Sequence, residues 1–300
     1  MQWPDYVKIR EVGLRDGLQN EDRFVPSQTK IKLLRALIRA GVSAIEATSF
    51  VHPRAIPQLS DAEVILEGIG DIPNGVVLSA LVGNVRGIQR ALETGVREVM
   101  VVVSASEAHN RANVKMSVSR SLQALKEISP LASGGGTGVR GAVATAFGCP
   151  DQGKIDSGQV SVVVEGMLEA GIREITLADT AGLGHPRQVY TLVKELAADY
   201  PEVTWALHFH DTRGLGLANI ITGIQAGVTI LESSVGGIGG CPAIPGATGN
   251  VPTEDLIFML HSMGIRTSID LEGIVCCTRL LEETLGRSLP ARVSHLGCQR

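Results

Sequence analysis

One joint recurs along this chain and restricts its fold more than any other feature. "AGVSAIEA" (40–47), "TGVREVMV" (94–101), "AGIREITL" (170–177) and "AGVTILES" (226–233) each leave an amphipathic stretch, cross a glycine and enter a β-branched apolar run. Glycine tolerates the left-handed conformation that closes a helix. Each joint therefore predicts a helix end, a glycine stop and a buried strand. Such alternation calls for parallel strands joined by crossover helices. Extended along the chain, the pattern predicts strands near 7–12, 43–48, 76–82, 98–103, 139–146, 173–178, 203–209 and 229–235. Helical patterns fall near 27–40, 61–68, 84–94, 117–129, 157–170, 186–199, 215–226 and 253–263. Eight strands alternating with eight helices imply an α/β fold of the closed (β/α)8 TIM-barrel type. A doubly wound open sheet is the competing architecture.

The 300 residues suit one such barrel, which typically takes about 250. "DIPNG" (71–75) and "SGGGTG" (133–138) are too short to separate domains. A single catalytic domain over 1–300 is expected. Its segment 264–300 forms a C-terminal helical extension around "DLEGIVCCTRLLEETLG" (270–286), packed on the barrel or on a partner chain.

Charge and composition remove several functions. Net charge is −4, only 3% of residues are aromatic and no basic block occurs, which argues against a nucleic-acid groove. No apolar run reaches the roughly 18 residues that a membrane span needs. The start, "MQWPDYVKIREVG", lacks a basic-then-apolar leader, so a cytoplasmic location is expected. The five cysteines, Cys149, Cys241, Cys276, Cys277 and Cys298, contain no CxxC and suggest neither a disulfide framework nor a thiolate zinc site.

In a barrel, chemistry gathers at the carboxyl ends of the strands. The polar residues expected there are Arg15 and Asp16 after strand one, Glu46 and Thr48 on strand two, and Asp179 and Thr180 after strand six. His208, His210 and Asp211 end strand seven in "ALHFHDTRG" (206–214). The glycine-rich stretch "SSVGGIGGCPAIPGATGN" (233–250) follows strand eight and carries Cys241 and Asn250. Residues i and i+2 of a strand face the same side, with Cα atoms roughly 6.7 Å apart. The histidine pair is thus either a converging metal ligand pair or two satisfied side chains at a strand end.

Asp16 adds a hard carboxylate to this pair, and Asn250 an amide oxygen. Mixed oxygen and nitrogen donors without thiolate suit Mg2+ or Mn2+ better than Zn2+. A divalent ion that chelates a substrate hydroxyl acidifies it, and loss of that proton drives cleavage of the adjacent C–C bond. Arg15 fits stabilisation of the resulting enolate, or a structural ion pair with Glu46 or Asp179. Cys241 fits delivery of a proton to the carbanion, or an inert buried thiol. Cys149 in "FGCPDQG", and Cys276 and Cys277 in the tail, are expected to be structural.

Five separated motifs carry a resemblance that spans nearly the whole chain. "VKIREVGLRDGLQNE" (7–21), "IEATSFVHPRAIPQLSD" (45–61), "LADTAG" (177–182), "LHFHDTRGLGLAN" (207–219) and "VGGIGGCPAIPGATGNVPTEDL" (235–256) resemble 3-hydroxy-3-methylglutaryl-CoA lyases. These belong to the metal-dependent TIM-barrel lyases and synthases with an Arg-Asp pair after strand one. The resemblance implies cleavage of a 3-hydroxy-3-alkylglutaryl-CoA to acetyl-CoA and a 3-oxo acid, acetoacetate in the parent reaction. It implies Asp16, His208, His210 and Asn250 as ligands of Mg2+ or Mn2+. It also implies catalytic roles for Arg15, Cys241, Glu46, Asp179 and His208, and substrate contacts from Arg15, Gln19 and Asn113. The partner is then an acyl-CoA substrate, and a homodimer or other homo-oligomer is the expected assembly.

Three rim segments depart from the family pattern. "HDTRG" places Arg213 at a tyrosine's position, "GCPAIPGA" changes Ala243 and Ile244, and "FGCPDQG" changes Asp151 and Gln152. Arg213 fits recognition of an additional carboxylate or a solvated loop arginine. Cys298 resembles in position a regulatory C-terminal cysteine of eukaryotic members, or is a spare tail thiol. Two other functions compete: a Claisen-type synthase joining acetyl-CoA to a 2-oxo acid, and a scaffold barrel whose metal is structural.

Overall fold

The four joint glycines adopt the left-handed backbone their positions require, with φ of +89° at Gly41, +70° at Gly95, +84° at Gly171 and +111° at Gly227. At Gly41 the packing is also too close for a side chain, because a Cβ there would lie 2.3 Å from the carbonyl oxygen of Ser268. Each joint delivers the chain into a strand of a closed parallel barrel. The computed structural model describes residues 3–239 and 249–296. The strands are β1 (Lys8–Glu11), β2 (Ala44–Ser49), β3 (Val77–Leu81), β4 (Glu98–Ser104), β5 (Gly138–Ala144), β6 (Glu174–Asp179), β7 (Thr204–Phe209) and β8 (Ile230–Ser233). They neighbour one another in sequence order, and β8 closes on β1 from Lys8↔Ile230 to Glu11↔Ser233. The open-sheet alternative is thereby removed.

The helices surround this barrel: α1 (Ser27–Arg39), α2 (Ala62–Gly68), α3 (Val85–Glu93), α4 (Glu107–Val114), α5 (Val118–Gly134), α6 (Ser157–Glu169), α7 (Pro186–Asp199), α8 (Gly216–Gln225), α9 (Thr253–Ser262) and α10 (Leu271–Leu285). The apolar core lies between strands and helices. Outward strand residues such as Ile45, Val101, Val143, Leu177 and Leu207 share it with Leu34, Leu37, Ile88, Val163 and Val193 of the helices. The strand interiors facing the barrel axis are charged instead. Arg10, Glu46, Arg140 and Glu232 are all buried there and paired with one another.

Three differences from the sequence reading have local causes. Helix α4 carries one buried residue, Asn110, so it has no apolar stripe to signal it; its N-terminus is set by the Ser106 cap on the His109 N–H. Helix α5 runs through Pro130 to Gly134 rather than ending near 129, and Pro130 sits on its exposed face. Strand β5 stops at Ala144 because Thr145 turns left-handed, with φ +57°. The Thr145 hydroxyl lies 2.7 Å from Ser104 Oγ, and its N–H donates to Thr180 Oγ1 at 2.9 Å. Neighbouring residues on a helix point about 100° apart. The α10 cysteines accordingly divide, with Cys277 buried and Cys276, expected to pack, exposed. Helix α10 itself packs on α1 and α9. Among the described residues, no helix is long and apolar enough to cross a membrane.

Candidate active site

The site begins with the tight turn that leaves β1. Residues Gly13–Gly17 form one turn of π-helix, in which the N–H groups of Arg15, Asp16 and Gly17 all converge on the Val12 carbonyl. Isolated π-turns of this kind recur at functional sites. The turn fits because both end residues are glycines. A Cβ on Gly13 would meet Glu11 Oε1 at 2.6 Å, and one on Gly17 would meet Ile238 at 2.6 Å. The result is that Arg15 and Asp16 are both buried over the barrel mouth.

Strand β7 brings the histidines to the same place. The His208 and His210 rings lie 5.1 Å apart, centroid to centroid. Asp16 Oδ2 is 3.9 Å from His208 Nε2 and 3.6 Å from His210 Nε2. Asn250 arrives through a backbone bridge to His210 and donates its Nδ2 to Asp16 Oδ2 at 2.8 Å. Among the described residues, Asp16, His208 and His210 are the one cluster whose ligand atoms all lie within 4.8 Å of each other. The donor set passes a stricter test as well. His210 Nε2 and Asn250 Oδ1 are buried without a hydrogen-bond partner among the described residues. Buried polar atoms are rarely left so. Two orphaned donors beside a carboxylate and a second imidazole fit a bound divalent cation.

Charge keeps the Asp16 carboxylate in ligating form. Burial alone would raise the Asp16 pKa, but the Arg15 guanidinium and the two imidazoles outweigh it and hold the carboxyl well below the usual range. Burial would lower the His208 pKa, yet the hydrogen bond to Glu232 and the Asp16 charge shift it upward. Asp179 is raised by burial, although its two oxygens accept the N–H groups of Leu183 at 2.8 Å and Gly184 at 2.9 Å.

The expected residues divide in their placement. Arg15 donates through Nη1 to Asp16 at 2.7 Å and through Nε to Glu46. Its Nη2 makes only a 3.9 Å contact with Met100 Sδ, among the described residues. Gln19 Nε2 donates to Asp16 Oδ1 at 3.0 Å, which puts it at the cluster's edge. Asn113 is exposed on α4. Asp179 closes the turn after β6. Arg213 Nη1 donates to the carbonyls of Ala181 and Gly182 at 2.9 and 3.0 Å, tying two rim loops together. Gln152 accepts from Ser106 Oγ at 2.8 Å, and Asp151 is exposed. Cys149 is buried in the core. Cys241, Ala243, Ile244 and Cys298 lie outside the described residues.

Sequence reasoning missed the inner partners, Arg140 and Glu232. Glu232 Oε2 lies 3.2 Å from His208 Nδ1, and Arg140 Nη1 donates to Glu232 Oε1 at 2.9 Å. A signal was present: each is one charged residue inside an otherwise apolar strand run, "GVRGAVA" and "ILES".

Fold and site together define a class: a TIM barrel with a buried, nitrogen- and oxygen-lined candidate cation site at the carboxyl ends of its strands. The HMGL-like family profile matches residues 6–281. A hydroxymethylglutaryl-CoA lyase of Bacillus subtilis is 45% identical over 292 residues, covering 97% of each chain. The crystal structure of the Bacillus subtilis HMG-CoA lyase superposes with TM-score 0.96 at 44% identity and covers 99% of both chains. An HMG-CoA lyase from Acinetobacter baumannii, solved in complex with coenzyme A and 3-methylmalate, gives TM-score 0.94 at 41% identity, covering 100% of this chain and 97% of that one. The chain belongs to the HMG-CoA lyase family.

Proposed function

We propose that this carbon–carbon lyase cleaves 3-hydroxy-3-methylglutaryl-CoA, or a close 3-alkyl analogue, to acetyl-CoA and acetoacetate or a related 3-oxo acid. Asp16, His208, His210 and Asn250 would hold the divalent ion, Mg2+ or Mn2+. The observation that carries this reading is the meeting of Arg15 with a buried cluster whose His210 Nε2 and Asn250 Oδ1 lack hydrogen-bond partners among the described residues.

When bound, the ion supplies chelation and acidification of the substrate's tertiary hydroxyl. Once that hydroxyl gives its proton to solvent water, C3 becomes a ketone, the C2–C3 bond breaks and the electron pair passes into the thioester enolate. Arg15 stabilises the enolate oxygen with the part of its fork not committed to Glu46 and Asp16. Cys241 protonates C2 and completes acetyl-CoA. Glu46 acts by aiming the Arg15 guanidinium, and Asp179 by fixing the turn beside the histidines. Gln19 and Asn113 are assigned to substrate contacts. The chain acts as one catalytic domain over 1–300, works as a homodimer or other homo-oligomer, and resides in the cytoplasm. Arg213, occupied by backbone carbonyls, serves its loop rather than the acyl group.

A coupled assay for acetyl-CoA release from 3-hydroxy-3-methylglutaryl-CoA tests the proposal. Release that requires Mg2+ or Mn2+ and stops with chelator is the expected result. No release from this or any 3-alkyl analogue by the metal-loaded protein would refute it. CoA release from acetyl-CoA plus a 2-oxo acid would establish the synthase instead.

A further inference from the structure

Six side chains form a closed ring of alternating charge at the barrel mouth. His208 Nδ1 lies 3.2 Å from Glu232 Oε2. Arg140 joins two carboxylates, donating through Nη1 to Glu232 Oε1 at 2.9 Å and through Nη2 to Glu46 Oε2 at 2.5 Å. Glu46 Oε1 accepts from Arg15 Nε. Arg15 Nη1 reaches Asp16 Oδ1 at 2.7 Å, and Asp16 Oδ2 faces His208 Nε2 at 3.9 Å. Arg140 and Glu232 are each 1% exposed, so water does not compete for these bonds. The sheet explains the ring's rigidity. Glu232 sits directly beside His208 in the β7–β8 register and beside Arg10 in the β1–β8 register.

The two oxygens of Glu232 have different surroundings. Oε1 accepts from three donors: Arg140 Nη1 at 2.9 Å, Thr176 Oγ1 at 3.1 Å and Arg10 Nη1 at 3.3 Å. Oε2 is left to His208. A carboxylate can only accept, so the ring proton of a neutral His208 must sit on Nδ1 and its lone pair on Nε2. Nε2 is the nitrogen that faces Asp16.

We propose that Glu232 is a positioning residue that fixes the His208 tautomer for metal ligation, with Arg140 and Arg10 fixing Glu232 in turn. This rests on the metal reading of the site. Partners of this outer kind typically change metal affinity about 10- to 100-fold.

Glu232→Gln provides a sharp test because of the asymmetry. Three donors hold the amide oxygen at the Oε1 position, so the NH2 group must point at His208 Nδ1. The proton then moves to Nε2 and blocks ligation. Mn2+ binding is measured by electron paramagnetic resonance titration of the full chain, beside a thermal melt. A Glu232→Gln protein that melts cooperatively and binds Mn2+ about 10- to 100-fold more weakly supports the proposal. Equal Mn2+ affinity in variant and parent overturns it. A parent that binds no Mn2+ overturns the metal reading itself, which is a distinguishable failure. Should the variant not fold, 15N chemical shifts of His208 in the Mg2+-loaded parent decide. A protonated Nδ1 supports the tautomer, and a protonated Nε2 overturns it.

Discussion

Arg15 shows why a residue's neighbours matter more than its identity. Its sequence context allowed either a catalytic guanidinium or a structural ion pair, and the structure shows ion pairs that leave part of the fork uncommitted. Nε and Nη1 are anchored on Glu46 and Asp16, while Nη2 touches only a sulfur among the described residues. An anchored fork with one free end is pre-organised for a developing oxyanion. Arg15→Gln should weaken Mn2+ binding, because Arg15 holds Asp16, and at saturating Mn2+ it should still lower kcat by about 10²- to 10³-fold, the usual loss for one oxyanion donor. Steady-state kinetics beside a Mn2+ titration separate these. Full activity restored at saturating Mn2+ would instead make Arg15 part of the scaffold. The proposed ligands Asp16, His208, His210 and Asn250 were legible as a group because strand-end placement and spacing bring them to one rim. Glu232 and Arg140 were missed, since a lone charge in an apolar strand run marks a buried position without naming the side chains it meets.

Between elements, a buried carboxylate ties β1 to the chain that leaves β8. Glu11 accepts the N–H groups of Gly13 at 2.8 Å and Val235 at 2.9 Å, and the Thr253 hydroxyl at 2.6 Å. Burial raises its pKa from 4.5 to about 7, against the lowering effect of these hydrogen bonds. The sign of the linkage follows. The unfolded chain releases this proton near 4.5 while the folded chain keeps it to about 7, so its contribution to stability falls as pH rises through that window. Glu11→Gln keeps an oxygen for both N–H groups and removes the titration. Urea unfolding at about pH 5 and about pH 8 should show a smaller loss of stability for the variant, by on the order of 3 kcal/mol. An unchanged difference between the two pH values would show that Glu11 titrates normally. The glycine joints made the strand–helix alternation readable in sequence. Helix α4 and the end of β5 were hidden because a polar surface helix has no stripe, and Thr145 carries no outward mark of its left-handed turn.

The molecule as a whole separates two jobs by layer. An apolar shell between strands and helices supplies the core, and a charged barrel axis supports the mouth. Breaking one partner of a buried ion pair costs about 3–5 kcal/mol, so the axis is stable only while every member is satisfied. Eight strands had to close in order for Asp16 from β1's turn and Asn250, far apart in sequence, to share a hydrogen bond of 2.8 Å. Closure is what joins the ends of the chain into one cluster, and it is also why the site was recognisable only once the barrel was assumed. The most direct test is an anomalous difference map from crystals grown with Mn2+, collected at the manganese edge. One strong peak bounded by Asp16, His208, His210 and Asn250 is the expected result. A map with no peak there, or with manganese bound only elsewhere, would contradict it.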